Sequence, residues 1–400
     1  MMELNCCAKF DPVQDAEFFS ALPAAPAVVR IEPREELVDA RPYLIRTADL
    51  RARMKRLLAS RDGTDDPAEA RRLHLREFAG AVRYRLTGSP FEQSIVMWHA
   101  ARELDPRGYH TRLRMRWPAL LKVNLANAYP RCYVTRRIRT DDTGSPAGGF
   151  YFGPFPSRRA ADAFSSEFLN LFKIRRCQIK IRRDPSFPGC IYSEMKMCLA
   201  PCFAGCTQEE YAHETNRVVH FLSTAGESLS GELGIEREAA SAGLDFERAA
   251  AVHRRLEKVA EVLRGLPEVA RRIDELDAVV LQRAVAPESV QVFVVRGGRI
   301  SDSFSLRFAQ TSRPGSVEES LRARLGGAAV QTPPAEVIHA EPLADHLAVL
   351  ARWFYSKPRA GEIFFRDDDW PYRRLIRACG RILTGQTSGE SGDEGAGKKD

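Results

Sequence analysis

Four cysteines at positions 177, 190, 198 and 202, with a fifth at 206, crowd one short run of the chain. That is too clustered for cysteines used as small buried hydrophobes, the reading that suits Cys132 and Cys379. In a reducing compartment such thiols stay free, which favours ligation over disulfides. Four thiolates hold Zn²⁺ tetrahedrally or carry an iron–sulfur cluster. Twelve residues separate Cys177 from Cys190, seven separate Cys190 from Cys198, and three separate Cys198 from Cys202. The paired Cys-x₂-Cys knuckles of zinc ribbons are missing from this spacing. Zinc, a cluster and a metal-free core all remain open on the residues alone, and Cys206 is a spare or alternative ligand.

A reducing compartment agrees with the rest of the chain. No apolar run approaches the ~20 residues that span a bilayer. The start, Met1-Met-Glu-Leu-Asn-Cys-Cys, lacks a basic stretch followed by an apolar one, so no export signal is read and a cytoplasmic location without a membrane partner is expected. At 400 residues the chain exceeds one usual core, which predicts two to four domains. Lys and Arg total 60 against 53 Asp and Glu, a net charge of +7 that is unevenly placed. Arginines crowd the stretch from Arg107 to Arg139, and a second group flanks the cysteines. Positive clusters neutralise phosphates and release counterions. The predicted nucleic-acid contacts are Arg136, Arg137, Lys173, Arg175, Arg176, Arg182 and Arg183. Among them stand Tyr151, Phe152 and Phe155, which read mainly as core, although an aromatic beside arginines also stacks on exposed bases.

Periodicity divides the chain into an α/β multi-domain protein. Residues 1–25 carry little pattern and read as a lead-in. Apolar runs at Val28–Ile31 and Tyr43–Ile45 predict a strand pair. A helix over Ala48–Ala59 follows, capped by Asp49, with Leu50, Met54, Leu57 and Leu58 on one side. A strand at Gly80–Leu86 and a helix at Phe91–Leu104 complete an α/β unit over residues 26–110. Residues 111–206 form the basic, cysteine-rich module. Thr207 with Glu210 makes a capping box that opens a helical segment over 207–266, broken at Gly226–Gly234. From Asp277 to residue 384 the pattern is mixed α/β. It has a hairpin across Gly297-Gly298, a third strand at Ser303–Phe308, helices at Leu343–Tyr355 and Tyr372–Leu383, and a strand at Glu362–Phe365. Asp367, Asp368 and Asp369 read as solvated surface, and residues 385–400 as a polar disordered tail.

Several of these stretches resemble UvrC, the nuclease subunit of bacterial nucleotide excision repair. Trp117-Pro-Ala-Leu-Leu-Lys-Val and Tyr129-Pro-Arg-Cys-Tyr-Val-Thr-Arg-Arg137 are similar to two strands of that family, and Tyr151-Phe-Gly-Pro-Phe155 closes the unit. The resemblance implies a [4Fe–4S] cluster on Cys177, Cys190, Cys198 and Cys202. Leu244-Asp-Phe-Glu-Arg-Ala-Ala250 resembles the UVR motif, the helical hairpin by which UvrC docks UvrB. Leu244, Asp245, Phe246, Glu247 and Arg248 are then the docking residues, with Phe246 as apolar anchor. The alternative is an ordinary hairpin with Phe246 in its own core.

The first α/β unit resembles the GIY-YIG nuclease domain of UvrC, by which Tyr43, Arg46 and Arg53 occupy catalytic positions. It also departs from that pattern. The first tyrosine falls at Val29, a glycine at Ile45, a later asparagine near Tyr109 or His110, and the metal-binding glutamate at Met97. Mg²⁺ needs hard oxygen ligands, and a thioether is soft. Substitute acids are Glu92, Glu103 and Asp105. The expectation is a UvrC-like protein that binds UvrB and damaged double-stranded DNA with an impaired nuclease, and Mg²⁺ is needed only if the nuclease is active. The strands after Asp277 resemble the entrance to UvrC's RNase H-like half, so the C-terminal part reads as a remnant of it, with the second nuclease missing. Two other functions remain: an endonuclease that makes only the 3′-side cut, and a cluster-bearing interaction or redox-sensing protein.

Overall fold

A computed structural model describes residues 2–60, 73–142, 145–308, 314–326 and 342–385. The polar tail expected beyond Gly385 lies outside them. The first sheet has the order β1–β4–β2–β3, from β1 (Cys6–Lys9), β2 (Ala27–Pro33), β3 (Tyr43–Thr47) and β4 (Ala79–Leu86). All its pairings are antiparallel, with Val29 opposite Ile45 on one side and Tyr84 on the other. Helices α1 (Asp15–Ala21) and α2 (Leu50–Leu58) cover one face, and Asp49 caps α2 as expected by accepting from the Ala52 N–H. Residues 1–25 are therefore not a lead-in. Strand β1 is an edge of the sheet, and Phe10, Phe18, Phe19 and Leu22 enter the core beneath it. Four strand residues and a two-turn helix are too short for periodicity to register.

The other face carries α3 (Pro90–Leu104), capped by Ser89, and after it comes the short α4 (Tyr109–Arg112). The middle of the chain builds a second sheet, in the order β6–β5–β7–β8, from β5 (Ala119–Val123), β6 (Cys132–Thr135), β7 (Phe150–Phe155) and β8 (Arg271–Arg272). Helix α5 (Arg158–Leu169) packs on it, and the single turn α6 (Ile191–Glu194) follows among the cysteines. The capping box of Thr207 and Glu210 opens α7 (Gln208–Ser223). The break that follows is narrower than the glycines suggest. Helix α8 (Glu227–Ala242) runs through Gly231 and Gly234, and only Ala225 and Gly226 turn left-handed. Helix α9 (Phe246–Arg264) folds back on α8 as a hairpin, and both add to the core of the second sheet.

The C-terminal sheet has the order β11–β10–β9–β12, from β9 (Ala278–Arg283), β10 (Ser289–Arg296), β11 (Arg299–Arg307) and β12 (Glu362–Phe365). Gly297 and Gly298, both at positive φ, form the expected hairpin turn. The third strand expected at Ser303–Phe308 is instead the continuation of the returning strand. A register shift at Val294/Val295 bends the ladder without ending it. Helices α10 (Pro314–Gly326) and α12 (Tyr372–Thr384) pack on one face, and α11 (Leu343–Phe354) on the other. Asp367, Asp368 and Asp369 are exposed.

Helix α3 lies between the first sheet and the C-terminal sheet, and one core spans both. Phe91 stacks edge-on to Phe293 with ring centroids 5.0 Å apart and tilts against Trp353 at the same separation. At Gly88, just before α3, any Cβ would collide with the backbone of Arg283 and Ala284, so this close approach requires glycine. Among the described residues no helix is long and apolar enough to cross a membrane.

Candidate functional site

The cysteine segment has little regular structure, so side chains must hold it in place. The buried Arg175 does most of this. Its Nε donates to the Tyr129 carbonyl at 2.8 Å, and its Nη1 to the carbonyls of Cys177 and Ile179 at 3.3 and 2.9 Å. The Arg175 amide in turn donates to the Tyr211 hydroxyl. Lys196, Ala200 and Ala204 adopt left-handed backbone angles without being glycine, a cost that surrounding contacts must offset. Asp184 N–H bonds the Cys202 carbonyl, and Arg183 donates to that of Cys206.

Within this frame Cys177, Cys190, Cys198 and Cys202 all line one cavity of about 210 Å³, and Cys206 does not. Apolar side chains, among them Ile179, Ile181 and Phe187, complete the wall, with Arg175 and Arg176 beside the thiols. Burial pushes the Cys198 thiol up to about 11, and the charges of Cys177, Cys190 and Cys202 would add to the cost of ionising it. Burial also raises Cys202. Ligation to a metal would reverse that cost, because the ion stabilises the thiolates. Among the described residues no three His, Cys, Asp or Glu side chains are gathered around one point as the ligands of a single ion would be.

The expected nucleic-acid contacts divide. Arg136, Arg137, Lys173, Arg182 and Arg183 are exposed. Arg176 is half-buried, bonded to Asn170 and set over the Tyr192 ring. Arg175 is corrected: its guanidinium is turned inward and committed to carbonyls, so it serves the fold. Tyr151, Phe152 and Phe155 are all buried, which removes them as base-stacking platforms.

The helical hairpin puts its motif at the tip. Leu244, at positive φ, and Phe246 are 72% and 68% exposed, so Phe246 is not in the hairpin's own core. Asp245 caps α9 by accepting from the Arg248 N–H, and Arg248 pairs with Glu236 at 3.1 Å. Glu247 is exposed beside them.

The residues at nuclease-like positions divide between the two faces of the first sheet. Strand alternation puts Tyr43 and Ile45 on the α2 face of the sheet and Arg46 on the α3 face. Arg53 sits half-buried on α2, its Nε buried and without a hydrogen-bond partner. Met97 packs against the core that α3 shares with the C-terminal sheet. The three substitute acids are committed elsewhere. Glu92 accepts from the Gly88 N–H at 2.8 Å, Glu103 pairs with Arg30 at 3.0 Å, and Asp105 accepts from the Gly108 N–H at 2.9 Å. Sequence reading missed Tyr84, which faces Val29 across the β2–β4 ladder. The alternation of β4 was the available signal, but register was needed to use it.

The family description "UvrC/Cho excinuclease, middle domain" matches residues 119–221, which contain β5, β6 and β7 of the second sheet, α5 and the cysteine cavity. The chain is 28% identical over 280 residues to the UvrABC system protein C of Dehalococcoides mccartyi, covering 69% of this chain and 44% of that protein. Against the protein of the same name from Moorella thermoacetica it is 28% identical over 329 residues, 81% of this chain and 51% of the relative. With that of Saccharophagus degradans it shares 30% identity over 207 residues, half of this chain and 33% of the relative. The chain thus spans about half the length of the curated relatives it matches. No solved structure matches it. A matched middle domain, and relatives of one name aligned over 69% and 81% of the chain, support a UvrC-like protein.

Proposed function

We propose that the chain acts in nucleotide excision repair as a protein that binds damaged duplex DNA and docks UvrB, with a GIY-YIG-like first domain that no longer cuts. The observation that carries the loss of cutting is the position of Met97. Met97 falls at the expected carboxylate position and packs, partly buried, against the core that α3 shares with the C-terminal sheet, and Glu92, Glu103 and Asp105 have other partners. A divalent ion there would lack the hard ligands it needs to offset charge at the phosphoryl centre. Docking rests on Leu244 and Phe246, which are held out at a capped hairpin tip. DNA binding rests on the exposed arginines of the middle domain.

Cys177, Cys190, Cys198 and Cys202 fit a four-thiolate group around their common cavity, and we assign them a [4Fe–4S] cluster, with zinc as the competing occupant. Bound there, such a group supplies structural cross-linking and, for iron–sulfur, one-electron chemistry. The thiols' own part is to ionise against the cost of burial.

A second reading is favoured by Arg53, a half-buried guanidinium on α2 whose Nε has no hydrogen-bond partner, and by Tyr84, which brings a phenol beside Val29. In it the protein is an active 3′-side endonuclease. The deciding assay incubates damaged duplex with the chain and UvrB in Mg²⁺ or Mn²⁺. Binding without incision is expected. Incision that disappears in Arg53→Ala would establish the second reading.

A further inference from the structure

The mouth of the cysteine cavity carries three exposed apolar side chains. Ile191 is 63% exposed, Met195 61% and Ile179 49%. Singly such residues are ordinary, but grouped they mark a contact surface. Ile179 and Ile191 both line the cavity, and Met195 stands one turn after Ile191, its N–H bonded to the Ile191 carbonyl at 3.0 Å. Arg175 anchors the Ile179 carbonyl from within. The group projects from a braced base and does not lie on a loose loop. Residues 173–206 hold seven cations, at 173, 175, 176, 180, 182, 183 and 196, against two acids, Asp184 and Glu194. Lys180, Arg182, Arg183 and Lys196, on either side of Ile191 and Met195 in the sequence, are exposed.

We infer that Ile191 and Met195 form an apolar wedge that inserts at a weakened base step of duplex DNA while the surrounding cations hold the flanking phosphates. Isoleucine and methionine are among the side chains that enter between base steps, and cations on both flanks supply the phosphate contacts such entry requires. Unstacking costs least where pairing is already lost, so the wedge favours distorted DNA over intact duplex. This inference rests on the DNA-binding reading above and adds a means of sensing distortion.

The test uses the 400-residue chain with no segment removed. Two 2-aminopurine-labelled duplexes are compared, one fully paired and one with a mismatch beside the probe. The unmodified chain should bind the mismatched duplex about tenfold more tightly and raise its fluorescence. The double variant Ile191→Ser/Met195→Ser should bind both duplexes equally, with an unchanged salt slope and no fluorescence rise. Both residues are exposed, and a far-UV circular dichroism spectrum matching the parent verifies the fold. Arg182→Ala should instead weaken both duplexes alike and lower the salt slope by about one. A wild-type protein that binds both duplexes equally, or a double variant that keeps the preference, overturns the wedge and leaves DNA binding standing. Failure to bind either duplex overturns both. Binding to anionic phosphatidylserine vesicles in place of DNA, lost in the double variant, reassigns the surface to a membrane and overturns the wedge.

Discussion

The Tyr109 hydroxyl donates a 2.5 Å hydrogen bond to Oδ2 of Asp345, a buried carboxylate at the start of α11. Trp98 Nε1 reaches the same oxygen at 3.2 Å, and Trp117 Nε1 and His110 Nε2 reach Oδ1 at 3.1 and 3.2 Å. Four donors from residues 98–117 thus satisfy one acid from the C-terminal part. Burial, with the charge of Asp345 behind it, pushes the Tyr109 hydroxyl above its ordinary range. Tyr109 and His110, which fall where the nuclease pattern has an asparagine, are used here to join the first and last parts of the chain.

Asp345→Ala should therefore cost about 3 kcal/mol of folding stability, because it strands the buried donors of Trp98 and Tyr109 as well as losing their bonds. Urea unfolding measures it. A loss below about 0.5 kcal/mol, the range of ordinary surface substitutions, would mean that the carboxylate does not hold the two parts together.

Phe246→Ala separates docking from folding. The side chain is largely exposed, so the melting curve should move by no more than about 0.5 kcal/mol in equivalent stability. Affinity for UvrB should fall by about 2 kcal/mol, as for a truncated hot-spot aromatic. Calorimetric titration that finds unchanged affinity would remove the hairpin tip as the docking site.

Protein prepared without oxygen should be brown and contain about four irons per chain. Cys198→Ser should bleach it, and Cys206→Ser, outside the cavity, should not. Colourless protein with one zinc per chain would replace the cluster with zinc.

Alkaline pH should weaken the metal-free protein. Burial raises Cys198 to about 11 and Cys132 and Cys379 to about 12, from 9.0. Folding favours their protonated forms, so this contribution is complete below pH 9 and is lost as pH rises from 9 to 12. The buried Tyr211 and half-buried Tyr355 hydroxyls are raised as well, by desolvation, and act in the same direction. Denaturation midpoints followed against pH should decline above 9, and a rise there would contradict the assignment.

Much of this architecture is legible before any coordinates. Asp49 marks a helix start, Thr207 with Glu210 opens α7, and Gly297-Gly298 turns the hairpin, because caps and turns are decided by neighbouring residues. The cysteine spacing likewise brings four thiols to one cavity. What spacing hides is the partner of each face. The apolar side of α3 is evident from Phe91, Ile95 and Trp98, but nothing local says that Leu347 and Trp353 cover it. Arg175 reads as surface by type, and only tertiary carbonyls make it interior. Asp345 reads as an acid in the first turn of a helix, and its four donors come from distant sequence.

The core shared by α3 and α11 also bears on how the chain is made. Trp98 and Asp345 are 247 positions apart. At synthesis rates of ~5–20 residues per second, roughly 12–50 s pass between the appearance of the two halves of that core. For this interval the nascent first domain presents Phe91, Ile95 and Trp98 to the cell without their cover. A holding chaperone has its longest opportunity there, and a ribosome pause before residue 343 would lengthen it.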